Sequence, residues 1–131
     1  ETDKDFEETY EFLKYSPISK FHVFRFSKRS KTAADYMSKR LKEPSPSTKT
    51  RRSKALLDLS VQKYNKFLTT QIGKTSSALI LERKSKDLSE ALLDNQLPVF
   101  FREADKKAHP GSILNIMVKE CKNGRLFGKI V

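Results

Sequence analysis

The sequence predicts an α+β protein whose first part is mostly helical and whose second part is a small antiparallel β-barrel. Three observations carry this reading. Apolar residues recur at helical spacing as far as Gly73. Beyond it, four or five short β-rich runs follow one another in under 60 residues. Near the end, Asn123-Gly124 spells a two-residue hairpin turn, in which both central positions need a positive φ.

Thr2 and Asp5 have the spacing of an N-cap and the acidic residue that answers it, and Phe6, Tyr10 and Leu13 fall on one face, so a helix is expected over about residues 3–15. Ser16-Pro17 ends it. Residues 20–26 (KFHVFRF) are aromatic or β-branched on both faces, which predicts a strand covered on both sides as in a parallel sheet. Helix, break and buried strand together make an α/β ending. Thr32 and Asp35 repeat the cap signature ahead of Ala33, Ala34, Met37 and Leu41, a short second helix. Pro44-Ser45-Pro46-Ser47 reads as a loop. From Thr48 onward Leu57, Val61, Tyr64, Leu68 and Ile72 form an apolar stripe, so a long amphipathic helix should end at Gly73, a good C-cap residue.

After Gly73, strands are expected at residues 75–81, 97–102, 113–118 and 126–131, while 88–93 reads equally as helix or strand. So many short strands suggest a closed or nearly closed barrel of the oligonucleotide-binding sort. The expected organisation is therefore 1–43 as the end of an α/β domain, 44–72 as loop and connecting helix, and 73–131 as the barrel.

Charge narrows the partners. The 131 residues carry a formal net charge of +11 and a pI near 9.8, which favours an anionic partner over a neutral one. Residues 1–15 hold six acidic and two basic side chains, residues 16–54 two and twelve, so the positive pole lies in the middle. Lys74, Arg83, Lys84, Arg102, Lys106, Lys107, Lys119, Lys122, Arg125 and Lys129 decorate the barrel. Phe127, between Arg125 and Lys129, offers a stacking face amid cations if it points outward and a core side chain if inward. The alternative for the lysines is a solvated surface.

Several chemistries find no residues. Cys121 is the only cysteine, so neither a disulfide framework nor a cysteine-based metal site is expected within this chain, and a reducing interior fits. His22 sits in an apolar run and His109 precedes Pro110-Gly111, neither beside an acid or thiol at a useful spacing. There is no glycine-rich phosphate loop, and no apolar run approaches the roughly 20 residues of a membrane span. A cytoplasmic location is expected. The chain opens inside a helix-start signal, which predicts a piece of something longer.

DFEETYEFLK, FHVF, FSKRSKTAA, KTRRSKALLDLS and the Gly73-Lys74-Thr75 start of the barrel together resemble the carboxyl-terminal part of the radical-SAM methylthiotransferases. His22-Val23-Phe24 and Arg51-Arg52 are most similar to the branch acting on threonylcarbamoyladenosine in tRNA. The family's proline-tyrosine is here Arg25-Phe26, its second proline Lys28, and its proline-glycine Ser30-Lys31. The resemblance implies the end of a radical-SAM domain followed by a TRAM domain. It implies iron–sulfur clusters and S-adenosylmethionine for the full-length parent, bound upstream of this chain, and no cofactor within it. It also implies that a strand over residues 21–26 delivers Ser27, Lys28 and Arg29 to the substrate mouth, as strand ends do in α/β barrels, and that the partner is the anticodon stem-loop of a tRNA. Lys74, Arg83, Lys84, Arg102, Lys119, Lys122, Arg125, Phe127 and Lys129 are then the expected RNA contacts. The truncated strand could also pair with a second copy. The competing reading is a non-catalytic nucleic-acid-binding or ribosome-associated protein. An upstream CxxxCxxC triplet would decide for the enzyme.

Overall fold

The computed structural model describes the backbone of residues 1–85, 88–102 and 108–131, and the side chains of these except residues 82–85. Three helices, α1 (Asp3–Tyr15), α2 (Ala33–Ser38) and α3 (Pro46–Thr69), precede five strands, β1 (Thr75–Ser85), β2 (Leu88–Leu93), β3 (Pro98–Phe101), β4 (Ile113–Lys122) and β5 (Arg125–Ile130). The chain forms two compact units, Glu1–Tyr64 and Asn65–Val131.

In the first unit, α1 begins with the expected capping box: the Thr2 N–H donates to Asp5 Oδ2 at 2.7 Å and the Asp5 N–H donates to Thr2 Oγ1 at 3.2 Å. Its other end is capped from α3. Lys63 Nζ donates to the carbonyls of Leu13, Lys14 and Ser16 at 2.6, 3.1 and 2.7 Å, placing a cation where the helix dipole is negative. Arg52, also on α3, is buried and bonds Glu1 and Asp3 at 2.7 and 2.8 Å, with its guanidinium over the Phe6 ring at 5.3 Å. α1 is thus gripped at both ends by side chains of α3.

The strand expected at residues 20–26 is not formed; residues 18–29 carry no regular secondary structure, and Phe24 is 87% exposed. A strand covered on both faces needs ladder partners, and this unit has none to give. The backbone of Phe21 is satisfied instead by one hydroxyl: its N–H donates to Ser60 Oγ at 3.1 Å, and Ser60 Oγ donates back to its carbonyl at 2.8 Å. The edge expected to pair with a second copy is accordingly absent as a strand.

α3 differs from expectation in its bounds and its inward face. It starts two residues early, at Pro46, where proline's fixed φ and missing N–H suit the first helical position, and Ser45 Oγ accepts from the Thr48 N–H at 3.2 Å. It stops at Thr69 rather than Gly73, whose positive φ of 85° serves a turn and whose N–H bonds the Val118 carbonyl. Leu57 and Val61, on the predicted apolar stripe, are 47% and 59% exposed, whereas Arg52, Leu59 and Ser60 are buried. Polar groups hold that face because α1 and Phe21 present unpaired backbone atoms there.

The second unit is a closed barrel with strand order β1-β2-β3-β5-β4. All neighbours are antiparallel except β3 and β5, which run parallel. Ala78, Ile80, Ala91, Leu93, Val99, Phe101, Ile116, Val118 and Leu126 fill the interior, and alternation along β2 and β3 puts every second side chain there. Residues 88–93, ambiguous by propensity, become a strand because Ala91 and Leu93 are needed inside. Asn123 and Gly124, at φ 51° and 69°, make the expected tight turn between β4 and β5. Leu68 at the end of α3 is fully buried, and the nearby Gln71 is held by Asn95 Nδ2 at 3.2 Å.

Gly128 marks a point of close approach between β5 and its neighbours. A Cβ there would lie 2.7 Å from both Ile116 Cγ2 and the Met117 carbonyl oxygen, a backbone atom that cannot step aside. Gly128→Ala should therefore destabilise the barrel by about 1–3 kcal/mol, the usual cost of overpacking, measured as a lowered urea midpoint. Unchanged stability would show that the strands can separate freely at this point.

Candidate nucleic-acid interface

The parallel pair β3–β5 builds the centre of the interface. Val99 and Phe101 point inward, so Phe100 points out from β3; Leu126 points inward, so Phe127 points out from β5. The register sets Phe100 beside Phe127, and the rings lie 5.9 Å apart between centroids, tilted by 41°. Arg125 reaches over Phe100, its guanidinium 5.6 Å from the ring centroid. Both rings are half-buried, which leaves part of each open to solvent.

Cations surround this pair. Arg102 follows β3, Lys119 and Lys122 lie on β4, and Lys129 lies on β5; all line a shallow cleft of about 940 Å³ with Phe100 and Phe127. Arg125 joins Lys122 and Phe127 in an adjoining recess. None of these five basic side chains forms an ion pair with another described residue, and all five are exposed. Partly exposed aromatic rings among unpaired cations match the chemistry of single-stranded nucleic acid, in which bases stack and phosphates follow the positive groove.

The other residues singled out in the sequence are not gathered here. Lys74 precedes β1 and does not line the cleft. The side chains of Arg83 and Lys84, and all of Lys106 and Lys107, lie outside the described residues. In the first unit Ser27, Lys28 and Arg29 are exposed on the irregular segment, and Lys28 Nζ is 2.8 Å from Glu43 Oε2. Lys49 pairs with the same carboxylate. Hydrogen bonds from Lys28 and then Lys49 hold Glu43 down to a pKa of about 2, and the same contact raises Lys28. The positive pole of the sequence is thus partly neutralised, while Arg102, Lys119, Lys122, Arg125 and Lys129 have no ion-pair partner among the described residues.

Among the described residues no group of three or more His, Cys, Asp or Glu side chains could hold a metal ion, and Cys121 stands alone and half-buried on β4. The clusters implied by the family resemblance therefore find no ligand set in these residues. The ring of His22 lies 6.5 Å from that of Phe24, and the His109 carbonyl accepts from Ser112. No described helix is long and apolar enough to cross a membrane.

Sequence reasoning missed Phe100 and Glu120. Pro98-Val99-Phe100-Phe101 holds two adjacent phenylalanines with nothing to say which faces out, and the parallel pairing that sets Phe100 beside Phe127 has no local signature. Alternation along β3, with Val99 taken as inward in a closed barrel, is a signal that could have found Phe100.

Comparison with known proteins bears on both units. Residues 69–131 match the family model of the TRAM domain. The chain is 37% identical over 94 residues to a threonylcarbamoyladenosine tRNA methylthiotransferase of Aquifex aeolicus, a match covering 72% of this chain and 22% of that protein. It is 30% identical over 132 residues to a tRNA-2-methylthio-N(6)-dimethylallyladenosine synthase of Bartonella quintana, covering 99% of this chain and 27% of that protein. A threonylcarbamoyladenosine tRNA methylthiotransferase of Bacillus subtilis is 31% identical over 107 residues, covering 78% of this chain and 23% of that protein. The chain spans less than a third of the length of these relatives.

The Glu43 cluster gives a test by acid. A carboxylate whose folded pKa is depressed adds stability that is complete above its ordinary value of 4.5 and is lost as pH falls toward about 2. The helical signal of the first unit should become easier to unfold with urea across that window. Glu43→Gln should make the loss shallower, with Asp3 and Asp5, also held low, supplying what remains. An identical pH profile for parent and variant would remove Glu43 from the account.

Proposed function

We propose that this chain, a homologue of tRNA methylthiotransferases whose residues 69–131 are a TRAM domain, is the RNA-holding portion of such an enzyme. Its barrel grips tRNA through the face centred on Phe100 and Phe127. The observation that carries this is the coincidence, on one side of the barrel, of a partly exposed aromatic pair with five cations that have no ion-pair partner among the described residues. A merely solvated surface explains the cations but not the outward aromatic pair they enclose.

The reading extends to a division of labour. Residues 1–43 are taken as the end of the catalytic α/β domain, 44–72 as its connection and 73–131 as the barrel. Ser27, Lys28 and Arg29 orient the anticodon loop near a reacting centre borne by other parts of the parent, as expected of a cytoplasmic tRNA-modifying enzyme. That centre would use iron–sulfur clusters and S-adenosylmethionine. Arginine and lysine here position phosphate rather than move protons, since the guanidinium stays charged and offers a planar fork of donors. The base modified is taken to be threonylcarbamoyladenosine, supported by the 37% identity to the Aquifex aeolicus enzyme and by His22-Val23-Phe24. Dimethylallyladenosine is the second reading, favoured by relatives that match 99% of the chain.

Binding of an anticodon stem-loop tests the central claim. The log of the affinity should fall with the log of salt by about 0.7 per phosphate contact on single strands, so by about 3.5 for five cations. Lys119→Ala with Arg125→Ala should weaken binding about fivefold to thirtyfold, at about 1 kcal/mol or less per exposed phosphate contact. Phe100→Ala or Phe127→Ala should each cost about 1–3 kcal/mol of stacking. Lys28→Ala with Arg29→Ala should leave binding by this chain nearly unchanged, yet abolish methylthiolation by the parent enzyme. Binding that ignores salt, or a Lys119/Arg125 variant that binds as the parent does, would remove RNA from the function of the barrel.

A further inference from the structure

One acidic side chain stands inside the cationic cleft. The β4–β5 register slips between Val118 and Glu120, so that Lys119 is an extra residue on β4. Val118 is buried, and the slip leaves both Lys119 and Glu120 exposed, where strict alternation would return one of them to the interior. Bulges re-aim side chains in this way and recur beside functional sites. Glu120 is left opposite Phe127 in the ladder and lines the cleft with Phe100, Phe127, Lys119 and Lys122. Among the described residues its carboxylate has neither an ion-pair nor a hydrogen-bond partner.

A carboxylate works against a surface whose only task is to attract phosphate, because it repels the same anions its neighbours draw in. Glu120 is nevertheless turned outward beside the ring pair, with both oxygens free to accept. We propose that Glu120 is a specificity-determining residue for an unpaired base stacked on Phe100 and Phe127, selecting bases that present N–H donors at the Watson–Crick edge. Guanine offers the best match, because its N1–H and its N2 amino group lie side by side and can engage both carboxylate oxygens. Cytosine and adenine each present one amino group. Uracil is disfavoured, since its single N3–H is flanked by two carbonyl oxygens that repel the carboxylate. Unpaired RNA bases are commonly read on this edge while stacked on aromatic side chains. The inference rests on the RNA-holding reading of the same barrel face.

The test uses the 131-residue chain and fluorescently labelled short oligouridines carrying G, C, A or U at one central position, with binding followed by anisotropy at fixed low salt. The parent should bind the G-containing strand about five- to tenfold more tightly than the all-U strand, at the lower end of what a bidentate contact to a base contributes. Glu120→Ala should abolish that preference while keeping or raising affinity for the all-U strand. Glu120→Gln, which retains one acceptor oxygen without the charge, should fall between them; a purely electrostatic role would make Gln and Ala alike. Equal binding of all four strands by the parent, with salt dependence intact, would overturn this inference and leave the RNA-holding reading standing. So would a Glu120→Ala variant that gains affinity for all four strands equally and keeps the parent's preference. Failure of every strand to bind would overturn the RNA-holding reading itself, and this inference with it.

Discussion

A backbone amide or carbonyl withdrawn from water must find a partner, and the two units of this chain meet that demand in opposite ways. The second unit closes its ladder: five strands pair round to the first, so no edge is left over. The first unit has no sheet to close and depends on side chains of α3. Lys63 takes the free carbonyls at the end of α1, Ser60 takes both backbone groups of Phe21, and Arg52 binds Glu1 and Asp3 where α1 begins. The core of that unit is thin in consequence, since positions on α3 that could carry apolar bulk are occupied by polar groups with work to do. Only Arg52, Leu59 and Ser60 are buried within it.

This opposition explains which parts of the fold were legible in the sequence. Features fixed by neighbours along the chain were read closely. The Thr2–Asp5 box gave α1 its observed bounds, Thr32 and Asp35 located α2, and Asn123-Gly124 located the last hairpin. Features fixed by distant partners were not. The apolar run at residues 20–26 has the composition of a strand, but composition cannot supply a neighbour, and Ser60 lies 39 residues away. The inward face of α3 is hidden from the sequence for the same reason: apolar periodicity passes over Arg52 and Lys63, whose roles are set by the atoms they meet. In the interface the cations were visible one by one, whereas Phe100 and Glu120 emerge only from a parallel pairing and a register slip.

Charge carries a related lesson. The sequence concentrates its positive residues between positions 16 and 54, yet there Lys28 and Lys49 share Glu43 and Arg52 is held by two acids. The barrel has the smaller excess, but Arg102, Lys119, Lys122, Arg125 and Lys129 have no ion-pair partner among the described residues. What attracts an anionic ligand is charge without a nearby countercharge, and that is a property of the folded arrangement.

The parallel contact between β3 and β5 has a temporal consequence. Phe100 and Phe127 lie 27 residues apart, and their strands meet only when the barrel closes, because β5 lies between β3 and β4 in the sheet order. During translation, a nascent chain that has emerged only as far as β4 already displays Arg102, Lys119 and Lys122, but it has neither the second ring nor the sheet that positions the first. On the RNA-holding reading, such a chain would offer charge without the paired rings to which that reading assigns base stacking. On the same reading, completion of the last strand would add base recognition to charge, so that maturation of the fold and onset of recognition would coincide.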